Sequence, residues 1–387
     1  MPENSSDNTV GELKKRIYEI NRETANYYFR QLVAGNDKRG LKYFASRGLK
    51  PETIKKYGLG FAPPSWDGLK KHLAGMGFSE KEMIAAGVRS VSRNEKNVYE
   101  QLPLLLKEFK PDICIGTGGY VSGPVIRAAA KLGVKTVIHE QNAYPGITNK
   151  MLAKEVDKVM LAVPDAKKHF DKKADFAVTG NPVRSKILTA NREEARAKLG
   201  VDERPVVLSF GGSLGARKIN EGVADLIARS GIDGRYQHIH AYGKYGKWFP
   251  DLLKEKGCDL EKADNLDIRE FINDMDVCMA AADLVICRAG AITLSEIQAL
   301  GKPAILIPSP NVAENHQYHN AMALVNAGAA DIIEEKDLTG RLLMQKADNM
   351  LSNPEKLAEY AKNARKTAIT DANERIYSVI KGVLGLV

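Results

Sequence analysis

The alternation of short apolar runs with helical segments is the feature that most constrains this chain of 387 residues. From Pro111 onward the runs are rich in Val, Ile and Leu, as in DICIG, KTVIHE, DKVMLAV, PVVLSFGG and PAILIPS. Such runs predict strands buried on both faces, and strands joined by helices pair in parallel. About four strands precede Pro182 and five or six follow Arg204. The pattern predicts two parallel-sheet domains with a ligand cleft at the carboxyl ends of their strands.

The first hundred residues follow a different pattern, with short helices separated by glycines and no strand alternation. They carry 18 Lys and Arg against 12 Asp and Glu, which gives +6 of the whole chain's net charge of +9. A basic, aromatic segment could bind nucleic acid. A small helical domain with lysines on its solvent-facing side explains the same composition. Nucleic acid is therefore the less favoured partner, and a nucleic-acid-binding module is the alternative function.

Composition also bears on location. No apolar run approaches the ~18 residues of a membrane span, and MPENSSDNTVGELKKR lacks the pattern of a signal peptide. The four cysteines never occur at C-x-x-C spacing, which is typical of core residues in a reduced compartment. We therefore expect a cytoplasmic protein.

Three glycine-rich turns follow predicted strands: FGGSLGARKIN, CRAGAITLSE and GTGGYVSGP. In the first, Ser213 and the amides after it are expected to open a helix, whose N-terminus suits a diphosphate. In the second, Glu296 could accept hydrogen bonds from a ribose diol. A single turn of this kind can be only a tight connection. The sequence has no P-loop motif and no G-x-G-x-x-G motif.

No metal site is predicted. DMD, from Asp274 to Asp276, resembles the metal-binding D-x-D of some sugar transferases, but its place before a helix favours capping. The histidines of QHIH alternate along a predicted strand, where packing or solvent exposure is the simpler role.

From about Leu102 to the end, the sequence resembles the MurG family, the peptidoglycan N-acetylglucosamine transferases that convert lipid I to lipid II. The motifs are GTGGYVSGP, HEQNAYPGITNKMLAK, TGNPVR, FGGSLGAR, EFINDM, CRAGAITLSEI and AENHQYHNA. The resemblance implies a GT-B-like pair of Rossmann-like domains, an inverting hexosyltransferase, and peripheral attachment to the cytoplasmic face of the cell membrane. It implies UDP-N-acetylglucosamine and lipid I as substrates, with no cofactor.

The same resemblance implies a set of substrate-binding residues. Ser213 would hold the diphosphate, Ile272 would contact the uracil, and Glu296 would bind the ribose hydroxyls. Gln317 and Asn142 would contact the sugar. Simpler roles remain open, such as a surface ion pair for Arg184 or a turn former at Asn142. The full set is Asn142, Arg184, Ser213, Ile272, Ala291, Ile292, Thr293, Leu294, Ser295, Glu296 and Gln317.

The front of the chain departs from the family. The family begins with a strand and a glycine turn, G-G-T-G-G-H, whose histidine faces the reacting sugars, and residues 1–110 contain no such motif. The catalytic residue is therefore unassigned, and we expect transfer to be impaired. The first sheet is expected to be truncated, leaving DICIG as an exposed edge through which the chain could self-associate.

Residues 11–101 instead resemble the helical lobe of bacterial DNA primase, in YEINRETANYYFRQL, YFASRGLKPETIKKYGLGFAPPSWDGLKKHL and VSRNEKNVYEQ. The zinc-binding domain and the acidic magnesium-binding motifs of primase are missing, so priming is not expected. The expected organisation is a primase-like lobe over 1–101, a truncated acceptor-side domain over 102–190, a UDP-sugar-binding domain over 191–368, and a final helix over 369–387 that packs back on the first domain.

Overall fold

The computed structural model describes residues 5–46, 49–65, 67–88, 98–171 and 173–386. The chain forms two compact units, Met1–Phe109 and Lys110–Val387. Residue 101, the expected domain boundary, lies inside a helix of the first unit. In the described part of the chain, no helix is both long and apolar enough to cross a membrane.

The first unit is helical wherever it is described in regular structure. Ile20, Leu73, Phe78 and Met83 form its small core. Ser79 and Glu82 form a reciprocal capping box at the start of one helix, and the Nε of Arg16 donates to Glu82 at 2.7 Å. The helices are α1 (Ser5–Val33), α2 (Arg39–Ser46), α3 (Pro51–Lys56), α4 (Gly68–Gly75), α5 (Glu80–Ala85) and α6 (Val98–Phe109).

The second unit begins with a parallel four-stranded sheet in the order β1-β2-β3-β4. Ile126, Ile138, Val159, Leu161 and Phe170 form the core beneath it. In the described residues β1 pairs only with β2, and its Ile115 is 47% exposed. The elements are β1 (Ile113–Gly116), α7 (Ser122–Lys131), β2 (Lys135–Glu140), α8 (Ile147–Leu152), β3 (Lys158–Leu161), a 3₁₀ turn (Pro164–His169) and β4 (Phe176–Val178).

A second parallel sheet follows, in the order β10-β9-β8-β5-β6-β7. Apolar cores lie on both of its faces, as the continuous apolar runs predict. The strands are β5 (Val206–Phe210), β6 (Gln237–Ala241), β7 (Leu266–Arg269), β8 (Leu284–Cys287), β9 (Ala304–Leu306) and β10 (Ala330–Ile332). The four strands and six strands confirm the predicted pair of Rossmann-like domains.

Ten helices accompany the second sheet and connect it to the first in the described residues. They are α9 (Ser185–Leu188), α10 (Arg192–Leu199), α11 (Arg217–Asp233), α12 (Phe249–Glu255), α13 (Met275–Ala281), α14 (Ala291–Leu300), α15 (His316–Asn326), α16 (Gly340–Leu351), α17 (Pro354–Thr367) and α18 (Ala372–Leu384). Helix α17 packs on α14 and α16. The chain then crosses back, because α18 contacts β2 of the first sheet.

Candidate active site

The glycine loop between β5 and α11 is shaped by close backbone contacts. A Cβ on Gly211 would lie 2.4 Å from the backbone N of Ala216, and one on Gly215 would lie 2.2 Å from the carbonyl oxygen of Tyr242. No side chain fits at either position. Ser213 is exposed in this loop, and its carbonyl accepts from the backbone N–H of Lys244 at 3.2 Å. Helix α11 begins only at Arg217, so the expectation that Ser213 opens the helix is wrong by one turn.

A cleft of about 400 Å³ borders this loop. Three cations line it: Arg217, Lys218 and Arg288. Arg288 donates to the carbonyls of Ile307 and Pro308, each at 3.1 Å, and pairs with Glu335. Positive side chains and backbone amides around a glycine loop suit a diphosphate. Gln317 lines the same cleft, and its Oε1 accepts from the backbone N–H of Ser309 at 2.9 Å.

Glu296 and Arg184, both predicted to bind the sugar nucleotide, contact each other. Nε and Nη2 of Arg184 each lie 2.9 Å from the same carboxylate oxygen, Oε1 of Glu296. The glutamate side chain is 7% exposed, whereas the arginine side chain is 56% exposed. Burial raises the pKa of Glu296, and the guanidinium opposes that shift. The ion pair therefore holds the Glu296 carboxylate, a hydrogen-bond acceptor, in the second turn of α14.

Five further residues of the predicted substrate-binding set, Ala291 to Ser295, occupy the first two turns of α14, after Gly290 as N-cap. Ile292 is exposed, whereas Ala291 and Thr293 are half-buried. Leu294 belongs to the apolar core, and so does Ile272, the residue expected at the uracil. Ser295 donates to the carbonyl of Ala291 at 3.1 Å.

Asn142 lies between the two sheets. Its backbone N–H and Nδ2 donate to Oε1 of Glu140 at 3.0 and 3.1 Å. Its Oδ1 accepts from Nδ2 of Asn320, on α15, at 3.0 Å. Asn320 also accepts from the N–H of Ala143 at 2.7 Å and donates to the carbonyl of Ala289 at 3.2 Å. The side chain of Asn142 is therefore held by both domains.

A second cleft, of about 350 Å³, lies beside Asn142. The first domain contributes the Thr117–Gly119 turn and Glu140. The second contributes Glu314 and His316. Glu314 and Asn315 have φ values of 53° and 49°, a left-handed conformation that costs energy in residues other than glycine. His316, the first residue of α15, follows this turn and lines the same cleft as the Thr117–Gly119 turn.

Three residues that sequence reasoning did not select hold this site together: Glu140, Arg288 and Asn320. Glu140 is almost fully buried. Besides Asn142, it accepts from the N–H of Gly146 at 3.1 Å and from Nδ2 of Asn149 at 2.7 Å. All three lie inside the motifs HEQN, CRAG and NHQYHNA. The motifs marked the right segments, but only tertiary contacts reveal these roles.

The two motifs considered for metal binding, DMD and QHIH, have protein partners in the structure. Within the described ranges, no group of three or more His, Cys, Asp or Glu residues could hold a metal ion. Asp274 is the N-cap residue of α13 but caps no helix N–H. It accepts instead from Arg269 at 2.7 Å. His238 and His240 are fully buried and share the hydroxyl of Ser209, each at 2.7 Å.

Two parallel-sheet domains that face each other across a cleft, with a glycine loop and a buried carboxylate, are the arrangement of GT-B glycosyltransferases that use nucleotide sugars. The family model described as glycosyltransferase family 28 C-terminal domain matches residues 206–376. The corresponding N-terminal domain model matches residues 42–161, beginning well ahead of the first MurG-like motif.

Similar proteins agree with this class. The UDP-N-acetylglucosamine–N-acetylmuramyl-(pentapeptide) pyrophosphoryl-undecaprenol N-acetylglucosamine transferase of Acetivibrio thermocellus is 48% identical over 281 residues, 72% of this chain and 75% of that protein. The transferase of the same name from Desulforamulus reducens is 40% identical over 341 residues, 88% and 89%. The crystal structure of Acinetobacter baumannii MurG matches with a TM-score of 0.61 and 31% identity, covering 73% of this chain and 77% of that one. The chain belongs to this transferase family, the MurG family.

Proposed function

We propose that this chain transfers N-acetylglucosamine from UDP-N-acetylglucosamine to the muramic acid 4-hydroxyl of lipid I, giving lipid II for peptidoglycan synthesis. The observation that carries the proposal is the cleft at the glycine loop, where three cations and Gln317 surround the backbone that would hold a diphosphate. The relatives named above carry this reaction in their names.

The site residues have the chemistry that this transfer needs. The acceptor hydroxyl gives its proton to a base, the unassigned catalytic residue, and its oxygen attacks the anomeric carbon. The bond from that carbon to the diphosphate oxygen breaks, and UDP leaves with the bonding electrons. Negative charge develops on the leaving diphosphate. Cations and amides that are already oriented toward it stabilise the transition state more than the ground state. Arg217, Lys218 and Arg288 line the cleft at the glycine loop and would do so, and the exposed Ser213 of the same loop would supply a further contact. Glu296 would accept hydrogen bonds from the ribose diol once Arg184 releases it.

The acceptor would enter the second cleft, of about 350 Å³, between the Thr117–Gly119 turn and the start of α15. Glu140 is a positioning residue here, because its carboxylate is saturated by four hydrogen-bond donors. The chain lacks the family's G-G-T-G-G-H turn, so we propose that sugar-nucleotide binding is retained while transfer is slow.

We propose that residues 11–101 derive from a primase helical lobe, which their helical structure supports. The family model that begins at residue 42 overlaps that segment, so the two assignments compete there. We further propose peripheral contact with the cytoplasmic face of the membrane. We also propose self-association through the edge strand β1, whose Ile115 side chain is exposed.

The proposal is tested with purified chain, radiolabelled UDP-N-acetylglucosamine and a lipid I analogue, by counting label in the lipid product. We expect product that depends on both substrates and is lost in Glu296→Gln, at a rate well below that of a MurG relative assayed in parallel. A rate equal to the relative's would refute the impairment. Absence of label, with the sugar nucleotide still bound, would refute transfer.

A further inference from the structure

A cavity of about 460 Å³ lies between the two parallel-sheet domains, apart from the two clefts described above. The cavity shares only Gln141 with the second cleft, the acceptor-side cleft beside Asn142. It shares no residue with the cleft that borders the glycine loop. The first domain contributes Gln141 after β2, the residues that follow β3, and the end of β4 with the residues after it. The second contributes α14, α15 and the connection between α17 and α18. Of the predicted substrate-binding residues, only Ala291, Leu294 and Ser295 line this cavity.

Apolar side chains such as Val163, Val178, Leu324 and Ile369 form only a little over half of the cavity wall. Polar side chains form the rest, and one of them, Asn181, is 3% exposed. Its Nδ2 donates to the carbonyl of Gln141 and to the hydroxyl of Ser295, each at 3.1 Å. Its Oδ1 is buried and has no partner among the described residues. This oxygen is closed off from the cavity, and the apolar part of the wall would hold a ligand's aromatic or aliphatic body.

The rim of the cavity carries one uncompensated positive charge. Arg375 pairs with Asp371 at 2.9 Å, and Asp165 pairs with Lys168 at 3.1 Å. Lys366 is exposed on the rim and makes no ion pair in the described part of the chain. An anionic group on a ligand would find a free cation there.

We propose that this cavity is a second ligand site, for a small amphiphilic anion with an aromatic or aliphatic body and one acid group. The volume lies within the range of small-molecule pockets, roughly 300–1,000 Å³. Because the walls come from both domains, a bound ligand fixes their relative position. The site goes beyond the proposed transfer and does not depend on it.

The test uses 1-anilinonaphthalene-8-sulfonate, which combines an aromatic body and a sulfonate. Its fluorescence is titrated against the full chain with and without saturating UDP. Val178→Trp fills the cavity, and Ile232→Trp, at an exposed position on α11, is the matched control. Lys366→Glu reverses the rim charge, with Lys362→Glu on the same helix as its control.

We expect saturable binding of one molecule per chain that UDP does not displace. Affinity should fall at least about tenfold in Val178→Trp and several-fold in Lys366→Glu, and should be unchanged in both controls. If Val178→Trp loses its cooperative melting, the pair of lysine variants decides the question. Displacement by UDP, equal binding by each variant and its control, or only non-saturable binding would overturn the proposal.

Discussion

Asn320 joins the two parallel-sheet domains through one side-chain amide, with Nδ2 donating to Oδ1 of Asn142 at 3.0 Å. The same amide accepts from the N–H of Ala143 and donates to the carbonyl of Ala289. Asn320 is almost fully buried. The first-domain loop that lines the acceptor-side cleft is therefore fixed to the loop after β8.

Asn320→Ala should lower the free energy of unfolding by about 1–3 kcal/mol, because it leaves buried donors and acceptors of two domains unpaired. Unfolding in urea is followed by the fluorescence of Trp248 in a Trp66→Phe background. Asn326→Ala, at the exposed end of α15, should be close to neutral. Equal stability of the two variants would show that the amide does not hold the domains.

Arg184→Ala should weaken binding of UDP-N-acetylglucosamine by about tenfold, the size expected for one charge-assisted hydrogen bond. Isothermal titration calorimetry measures the dissociation constant, and Lys186→Ala, two residues away, is the control. Tighter binding in Arg184→Ala would mean that the arginine only blocks Glu296 and makes no contact with the sugar nucleotide.

The buried pair His238 and His240 should make the second domain acid-labile. Burial lowers the pKa of His238 well below its usual value and that of His240 to about 3. In the unfolded chain both titrate near 6.5, so below that pH the unfolded state binds more protons. Stability is therefore complete above about pH 6.5 and falls with decreasing pH, by roughly 1.4 kcal/mol per pH unit for each histidine.

Urea unfolding between pH 7.5 and 5 measures that slope. His240→Asn places an amide where Nδ1 meets Ser209, and it should remove about half of the pH dependence that the pair contributes. Asn326→Ala, which removes no titratable group, should leave the slope unchanged. An unaltered slope in His240→Asn would contradict the assignment.

Ile115→Lys should reduce self-association if β1 is the contact. A charge on an edge strand opposes edge-to-edge pairing, and Ile115 is exposed on the outermost described strand of its sheet. Sedimentation velocity over a range of concentrations gives the oligomer fraction. Ile232→Lys on α11 is the control, and an equal decrease in both variants would implicate general solubility instead of the edge.

The fold was predictable because its signal is local. Apolar runs buried on both faces, separated by helices and glycine turns, predicted two parallel sheets, and the structure has them. The motifs also marked most of the segments that meet at the clefts. The start of α11 was misplaced because the SLGA turn of the loop intervenes before Arg217.

The pairings within the site were not predictable, because they join distant residues. Arg184 and Glu296 are 112 positions apart, and Asn142 and Asn320 are 178 apart. Nothing in either local sequence indicates the partner. Ile272 is 4% exposed and belongs to the apolar core. Its contact with the uracil stays a prediction.

The central claim is that the second domain binds the sugar nucleotide at Glu296 and the glycine loop. Thermal unfolding with and without UDP-N-acetylglucosamine tests it most directly. At a hundred times the dissociation constant, the ligand should stabilise the chain by roughly 2.7 kcal/mol. The shift should disappear in Glu296→Gln and persist in Glu359→Gln, on the exposed face of α17. The claim would be contradicted by a cooperative transition whose midpoint temperature the ligand does not change. An equal shift in Glu296→Gln would contradict it as well.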